Sequence, residues 1–254
     1  FGGLESIAHN SNRQNADLRF YEFGNCYQYH ADKRTADDAL APYSESYHLG
    51  LWICGKRAQQ TWLRATEKTS FYELKAYVHN IFSRMGIDIR NTRAENFGNE
   101  LLSEGLYLRT VSGKLLATIG IVADSQLKAF DINTPVYYAD VEWKQALKES
   151  AKHKITYRDI AKYPEVKRDL ALLIDKNVEF AEIERIAYET ERKLLKNVSL
   201  FDVYEGKNLE AGKKSYAISF TLQDADKTLT DKQIDAIMQR LIKNFEEKTG
   251  AKLR

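Results

Sequence analysis

The sequence predicts an α+β fold in two parts, and three observations support this. Apolar residues alternate with a period of two in several short segments and recur at helical spacing in several others. No apolar run approaches the roughly 20 residues that a membrane-spanning helix needs. The 254 residues are 43% hydrophobic and 29% charged, which is typical of one large or two ordinary soluble domains.

Composition excludes several kinds of site. The formal net charge is +2, so bulk charge does not identify a partner. Cys26 and Cys54 lie too far apart for a CxxC motif, and the five histidines show no metal-ligand spacing. We therefore expect two reduced thiols and no metal site. The chain starts at Phe1 in the middle of a pattern and shows no signal peptide, so we expect a cytoplasmic piece of a longer protein.

The boundary between the two parts falls in a polar, basic segment at 148–164. This segment, KESAKHKITYRDIAKYP, ends at Pro164, after which a new apolar run begins. We place the domains at 1–152 and 153–254.

The first domain mixes helices with strands. We expect helices at 2–14 and 70–86 and strands at 17–29, 47–55, 106–110, 114–124 and 135–143. Residues 17–29 should pass through a turn, and Ser112–Gly113 should form the turn of a hairpin. Ser70 and Glu73 predict a capping box at the start of the second helix, and Gly86 predicts its end. The expected architecture is a mainly antiparallel sheet with flanking helices.

The second domain has the order βαββαβ. We expect strands at 167–175, 198–204, 214–222 and 251–254 and helices at 180–195 and 228–250. Thr230 and Gln233 form a capping box for the last helix, and Gly250 ends it. This order within about 100 residues is the ferredoxin-like split βαβ unit.

Strand side chains alternate between faces, so the order also predicts what each sheet face carries. The apolar set should face the two helices: Leu170, Leu172, Ile174, Phe201, Val203, Tyr216, Ile218, Phe220 and Leu253. The open face should carry Asp169, Ala171, Leu173, Asp202, Tyr204, Ser215, Ala217, Ser219, Lys252 and Arg254. One aromatic among small neighbours with basic edges suits the stacking of an unpaired base. Packing of this face on another domain is the alternative, and it is common among ferredoxin-like domains.

Catalytic and nucleotide-binding motifs are not found in the sequence. It contains no GxxxxGK[ST], no GxGxxG after a strand and no GxSxG elbow. Arg19 and Glu22 could bind a substrate, but residues of this kind more often form ordinary salt bridges on a strand.

Several segments resemble a known family. GGLESIAHNSNRQNADLRFYEFGNCY and FYELKAYVHNIFSRMGI resemble the C-terminal part of the bacterial phenylalanyl-tRNA synthetase β subunit. The blocks KRDLALLID, LFDVYEG, GKKSYA, KTLTD and AKLR, in that order, resemble its final ferredoxin-fold anticodon-binding domain. The likeness is weaker at 87–150, where GIVADSQ replaces a GELHP-like stretch of the family.

The resemblance implies a fold and a function. The first domain would be a class II synthetase-like antiparallel sheet domain without catalytic residues, since the family's chemistry belongs to the α subunit. The whole aminoacyl-tRNA synthetase would be a cytoplasmic (αβ)2 ligase of protein biosynthesis that uses ATP and Mg²⁺, with no cofactor in this part. The partners implied are the α subunit and tRNA(Phe), with no membrane.

The resemblance also implies where tRNA binds. Ala171, Tyr204 and Ser215 fall where the family contacts the first anticodon base. Tyr204 would stack on that base beside the small Ala171, while Ser215 and Asp202 would offer hydrogen bonds to its edge. Phosphates would be met by Lys213, Lys214, Lys252 and Arg254. Two alternatives remain at this point: a protein-docking scaffold without direct RNA contact, and a still-active class II ligase module.

Overall fold

The computed structural model of the chain describes residues 1–35, 37–157, 159–206 and 209–254. These residues form two compact units, Phe1–Ile155 and Thr156–Arg254.

The first unit is built on an antiparallel sheet. Its helices are α1 (Gly2–Ser11), α2 (Phe71–Arg84), α3 (Asp124–Ala129) and α4 (Trp143–Ser150). Its strands are β1 (Arg19–Tyr29), β2 (Tyr43–Cys54), β3 (Lys56–Ala58), β4 (Glu67–Lys68), β5 (Thr92–Phe97), β6 (Leu102–Thr110), β7 (Leu115–Val122) and β8 (Val136–Glu142). Six strands form one sheet in the order β1-β2-β8-β7-β6-β5, whereas β3 and β4 pair as a separate small hairpin.

Both faces of the large sheet carry a hydrophobic core. Ile53 of β2 belongs to a cluster with Leu74 and Phe82 of α2, whereas its neighbour Cys54 belongs to a cluster with Ile7 of α1. Adjacent residues of a strand point to opposite faces, so helices lie on both sides of this sheet.

The first unit differs from the sequence prediction in several elements: α3, α4, β3, β4 and β5 were not predicted, and α1 ends at Ser11 and not at residue 14. Two further differences concern a turn and a helix cap. Residues 17–29 do not pass through a turn, because Gly24 stays in register opposite His48 within one continuous strand. The Ser70 side chain accepts a hydrogen bond from the Glu73 amide, as predicted, but Glu73 does not close the capping box. Its Oε1 instead accepts hydrogen bonds from Arg19 and from Tyr77.

The second unit confirms the βαββαβ order. It consists of β9 (Val166–Asp175), α5 (Phe180–Thr190), β10 (Leu195–Tyr204), β11 (Lys213–Leu222), α6 (Asp231–Thr249) and β12 (Lys252–Leu253). The four strands form an antiparallel sheet in the order β10-β11-β9-β12, which is the ferredoxin-like arrangement. The predicted α+β fold class is therefore confirmed. The turn between β10 and β11 includes Lys207 and Asn208, which lie outside the described residues.

Helix termini in the second unit follow local hydrogen bonding. The capping box of Thr230 and Gln233 is present, and Gly250 ends α6 in the left-handed region with φ of 65°. Helix α5 ends at Thr190, five residues before the predicted end. The reason is Glu191, whose carboxylate accepts hydrogen bonds from the amides of Lys193 and Leu194 and so turns the chain towards β10.

Three predicted core residues are exposed: Phe201, and also Val203 (48%) and Leu253 (50%), which lie on the two edge strands β10 and β12. Phe201 was expected to face the helices, but it is 59% exposed and is the extra residue of a bulge between Leu200 and Asp202. Leu200 lies opposite Ile218 and packs against the core in its place. Because Phe201 is an extra residue, the alternation of side chains along β10 shifts by one position at the bulge. The residues after the bulge then lie on the faces that the sequence predicts. The register places Val203 opposite the core residue Tyr216 and Tyr204 opposite Ser215.

Candidate nucleic-acid interface

The helix-free face of the second sheet brings together residues from all four strands. Tyr204, Ser215, Leu173 and Lys252 lie side by side across β10, β11, β9 and β12, because each is the register partner of the next. The neighbouring row contains Asp202, Ala217 and Ala171. Opposed residues of an antiparallel pair share a face, so the predicted open-face set is assembled on one surface.

Tyr204 is held in place from two directions. Arg254 follows β12, and its guanidinium carbon lies 5.1 Å from the centroid of the Tyr204 ring. The backbone of Arg254 is fixed by a hydrogen bond of 3.0 Å from its amide to the carbonyl oxygen of Ala171. On the other side Gly206 approaches so closely that a Cβ there would overlap the Tyr204 hydroxyl. The ring is therefore preorganised and half-buried.

The predicted partners of the base differ in how accessible they are. Asp202 is exposed, and Ala171 and Ala217 provide a shallow surface beside it. Ser215 is only 5% exposed, on a strand that lies between the edges carrying Tyr204 and Arg254. The Ser215 hydroxyl is therefore nearly closed to a ligand, whereas the carboxylate of the exposed Asp202 is available without rearrangement.

The predicted phosphate-binding residues fall into two groups. Lys252 and Arg254 are exposed, and Lys213 forms a 2.8 Å ion pair with Asp175. Lys214 alternates to the helix-covered face, where it is 8% exposed and its Nζ lies 4.7 Å from the Tyr216 ring. Lys214 is therefore remote from the open face, and we leave it out of the candidate interface.

Gly206 belongs to this site, although sequence reasoning did not single it out. It lies two residues after Tyr204, at the start of the turn that follows β10. Glycine is the usual residue in turns and at positions where another group approaches the backbone closely. That signal was present in the segment DVYEG.

In the first unit, the pair Arg19 and Glu22 is not brought together. Arg19 forms a 3.2 Å ion pair with Glu73 of α2, whose side chain is 6% exposed. Glu22 is three residues further along the same strand, opposite Gly50, and points to the other face of the sheet. The commoner interpretation of Arg19, a structural salt bridge, is therefore the one that the structure supports.

The first unit also contains a hydrogen-bonded array of Ser46, His48 and Asp140. The Ser46 Oγ lies 2.7 Å from Nε2 of His48, and Nδ1 of His48 lies 2.8 Å from Oδ1 of Asp140. This is the bonding order of a catalytic triad, but catalysis also needs donors that stabilise an oxyanion, and no such arrangement is established here. His48 is on β2 and Asp140 is on β8, so their hydrogen bond joins two paired strands of the sheet.

Metal and membrane contacts receive no support from the described part of the chain. There, no group of three or more His, Cys, Asp or Glu side chains could hold a metal ion. No helix among the described residues combines the length and apolar character needed to cross a bilayer.

Two family models match the chain. The model for the phenylalanyl tRNA synthetase beta chain CLM domain matches residues 1–143, more than half of the chain. The chain belongs to the phenylalanyl-tRNA synthetase β-chain family. The model for the ferredoxin-fold anticodon binding domain matches residues 161–254, which include the whole open face. The family predicted from the sequence motifs is thus confirmed.

Relatives within the phenylalanyl-tRNA synthetase β-chain family match over the full chain. Identity is 61% with the phenylalanine--tRNA ligase beta subunit of Bacteroides fragilis (strain ATCC 25285), 59% with that of Bacteroides thetaiotaomicron and 50% with that of Porphyromonas gingivalis. Each match covers 100% of this chain and 31% of the relative, so the chain spans about a third of the length of these relatives. Among solved structures, a pyrrolysyl tRNA synthetase of Desulfitobacterium hafniense matches with 14% identity and a TM-score of 0.41, over 59% of this chain and 47% of that one.

Proposed function

We propose that this chain is the part of a phenylalanine–tRNA ligase that docks on the catalytic α subunit and binds the anticodon stem-loop of tRNA(Phe). Residues 1–152 form a catalytic-like domain without catalytic residues, and residues 153–254 form the anticodon-binding domain. The whole enzyme is an (αβ)2 assembly in the cytoplasm, and its ATP and Mg²⁺ are bound by the α subunit. Membership of the β-chain family supports this assignment.

The observation that carries the RNA-binding part is the position of Tyr204. Its ring lies on the helix-free face of a sheet whose residues match an anticodon-binding model, and Arg254 supports it from the opposite edge. Aromatic rings and guanidinium planes are the groups on which proteins stack unpaired RNA bases. A preformed pair of this kind loses little conformational entropy when a base binds.

The surrounding side chains define how a base would be read. A base stacks on the surface formed by Tyr204 and Arg254, with the small Ala171 leaving room beside it. The exposed carboxylate of Asp202 accepts hydrogen bonds, for which the imino and amino groups of guanine are suitable donors. Ser215 is 5% exposed and adds a hydrogen bond to the base edge after a local rearrangement of the side chains around it.

Backbone phosphates are bound by cationic side chains at the edge of the face. Lys252 and Arg254 are exposed there. Lys213 contributes less to phosphate binding, because its Nζ lies 2.8 Å from Oδ1 of Asp175, which already neutralises part of its charge. With few cations on the face, we expect modest intrinsic affinity for RNA, supplemented by the rest of the assembly.

The test is the binding of a fluorescent tRNA(Phe) anticodon stem-loop to the chain, measured by anisotropy. Tyr204→Ala removes the stacking surface and should weaken binding by about 1–3 kcal/mol, which is about 5- to 150-fold. Tyr204→Phe keeps the ring and should bind nearly as the unmodified chain does. Tyr157→Ala is the control, since Tyr157 is an exposed tyrosine of the same unit that lies outside the sheet.

Two outcomes would contradict the proposal. Unchanged affinity of Tyr204→Ala for the stem-loop would show that the base does not stack there. Affinity that is insensitive to salt would indicate that the face binds protein, because RNA binding weakens steeply as ionic strength rises.

A further inference from the structure

The hairpin of β3 and β4 exposes two adjacent apolar side chains at its tip. Trp62 is 95% exposed, the highest value for a large hydrophobic residue in the described part of the chain, and Leu63 is 78% exposed. The Thr61 amide donates to the Arg64 carbonyl at 2.9 Å, and the Arg64 amide donates to the Thr61 carbonyl at 3.3 Å. Trp62 and Leu63 are therefore the two central residues of a tight turn, and both side chains are exposed there.

The base of this hairpin is firmly attached to the rest of the first unit. Arg19 donates to the Lys56 carbonyl at 3.0 Å, and the Lys56 amide donates to Oδ1 of Asp17 at 2.6 Å. Directly after β4, the amide and the hydroxyl of the buried Thr69 both donate to the carbonyl of Gly55, the residue before β3, at 3.0 Å. The tip is thus presented on a fixed support, which lowers the entropy that a binding partner must remove.

The flanks of the hairpin carry an excess of positive charge. Lys56 and Lys68 lie directly opposite each other in the β3–β4 register. Like charges opposed across two strands are destabilising. Among the described residues, the side chains of Lys56, Lys68 and Arg64 form no ion pair with a carboxylate, although the Asp17 carboxylate accepts the backbone amide of Lys56. Arg57 is the exception, because its Nη1 forms an ion pair of 3.8 Å with Oε2 of Glu67. An acidic surface placed against the hairpin would therefore relieve a repulsion that the isolated chain retains.

We infer that Trp62 and Leu63 insert into an apolar pocket of a protein partner whose rim carries carboxylates. Resting on the proposed function, this partner is the α subunit. A buried aromatic anchor surrounded by complementary charge is the usual form of an interface hot spot. Leu63 favours protein over single-stranded nucleic acid as the occupant: a base stacks on an indole ring, but an adjacent isobutyl group offers it no flat surface.

The experiment titrates the purified α subunit from the same organism into this chain and measures the dissociation constant by calorimetry. Trp62→Ala and Leu63→Ser should each weaken binding at least tenfold. Lys56→Glu combined with Arg64→Glu should weaken it further at low salt, because the charge complementarity is reversed. The control is Tyr72→Ala, which removes a side chain of α2 that is 78% exposed and leaves the hairpin intact.

The outcomes separate this inference from the proposed function. If the unmodified chain binds the α subunit and Trp62→Ala binds equally well, the hairpin inference fails and the proposed docking stands. If the unmodified chain does not bind the α subunit at all, the proposed docking is wrong, and the α subunit is not the partner of Trp62 and Leu63 either. If Trp62→Ala instead weakens tRNA binding and leaves α-subunit binding unchanged, the tip contacts RNA and the inference is overturned.

Discussion

Arg254 and Tyr204 come from opposite edges of the four-stranded sheet, yet the guanidinium carbon lies 5.1 Å from the tyrosine ring centroid. The two long side chains therefore meet over the two central strands, β9 and β11, of the helix-free face. A cation held against an aromatic face at an exposed site contributes about 0.5–1 kcal/mol. The pair gives the candidate interface a fixed surface before any ligand is present.

Replacement of Arg254 should distinguish stacking from simple charge attraction. Arg254→Ala should weaken binding of the anticodon stem-loop and lower the slope of log K against log salt by about 1, since one phosphate contact is lost. Arg254→Lys keeps the charge but lacks the planar group, so it should restore the salt slope and only part of the affinity. Anisotropy titrations at four salt concentrations measure both quantities. Full recovery by lysine would show that Arg254 acts as a point charge alone.

Replacement of Glu191 should destabilise the second unit. Its carboxylate accepts the amides of Lys193 and Leu194 and forms a 2.8 Å ion pair with Arg240, while the Glu191 side chain is only 10% exposed. Glu191→Ala leaves two amides without this acceptor and should lower the free energy of unfolding by about 2–4 kcal/mol. Arg240→Ala should cost less, because the arginine side chain is 57% exposed.

Urea unfolding followed by circular dichroism measures the effect of Glu191→Ala. All three tryptophans, Trp52, Trp62 and Trp143, lie in the first unit, so tryptophan fluorescence identifies the transition of that unit separately. Glu191→Ala should lower the urea midpoint of the second unit, whose transition is seen by circular dichroism but not by tryptophan fluorescence. The midpoint of the fluorescence transition should stay the same. A shift of the fluorescence transition would contradict the assignment of this network to the second unit.

Acid should destabilise the first unit through His79. Burial of the imidazole, helped by nearby Lys75, lowers the pKa of His79 to about 4, and its Nε2 has no hydrogen-bond partner among the described residues. An unfolded histidine has a pKa of about 6.5, so the unfolded chain gains a proton first as pH falls. Stability associated with His79 is therefore present above about pH 6.5 and is lost progressively down to about pH 4.

Thermal unfolding at pH 7.5 and pH 5.0, followed by tryptophan fluorescence, tests this expectation. Between pH 7.5 and pH 5.0, the melting temperature should fall less for His79→Leu than for the unmodified chain, because the titrating imidazole is gone. His9→Gln, at an exposed histidine of α1, serves as the matched control and should behave like the unmodified chain. Equal losses in all three proteins would exclude His79 as a source of the acid sensitivity.

Much of the second unit could be predicted because local signals agree with the tertiary structure there. The Thr230 capping box, the left-handed Gly250 and the alternation in β9 and β11 each follow from short-range chemistry. The end of α5 could not be predicted, because the apolar period continues to Leu194 while the buried Glu191 carboxylate turns the chain earlier. The bulge at Phe201 also has no sequence signature, since it depends on how β10 meets β11.

The sequence could predict which sheet face carries the candidate site, but not which of its residues contact one another. Alternation alone places Tyr204, Asp202 and Ser215 on one side of the sheet. The contact between Arg254 and Tyr204 joins residues 50 positions apart in the chain, and no local pattern encodes it. Lys214 is a different case: it was predicted as a phosphate contact, although the same alternation that places Ser215 on the open face turns Lys214 under the helices. In the first unit, α3 and β5 have only six residues each, and the eight residues of α4 run into the polar segment that was interpreted as the domain boundary, so none of the three was predicted.

The two edges of the ferredoxin-like sheet differ in how they discourage unwanted association. Strand β12 contains only two residues, which leaves little backbone for another chain to pair with. Strand β10 is ten residues long and exposes Phe201 and Val203, a combination that ordinarily invites aggregation by strand addition. The bulge at Phe201 interrupts the regular row of amides and carbonyls there and twists the edge. The same irregularity that displaces Phe201 from the core thus protects the domain from sheet-to-sheet polymerisation.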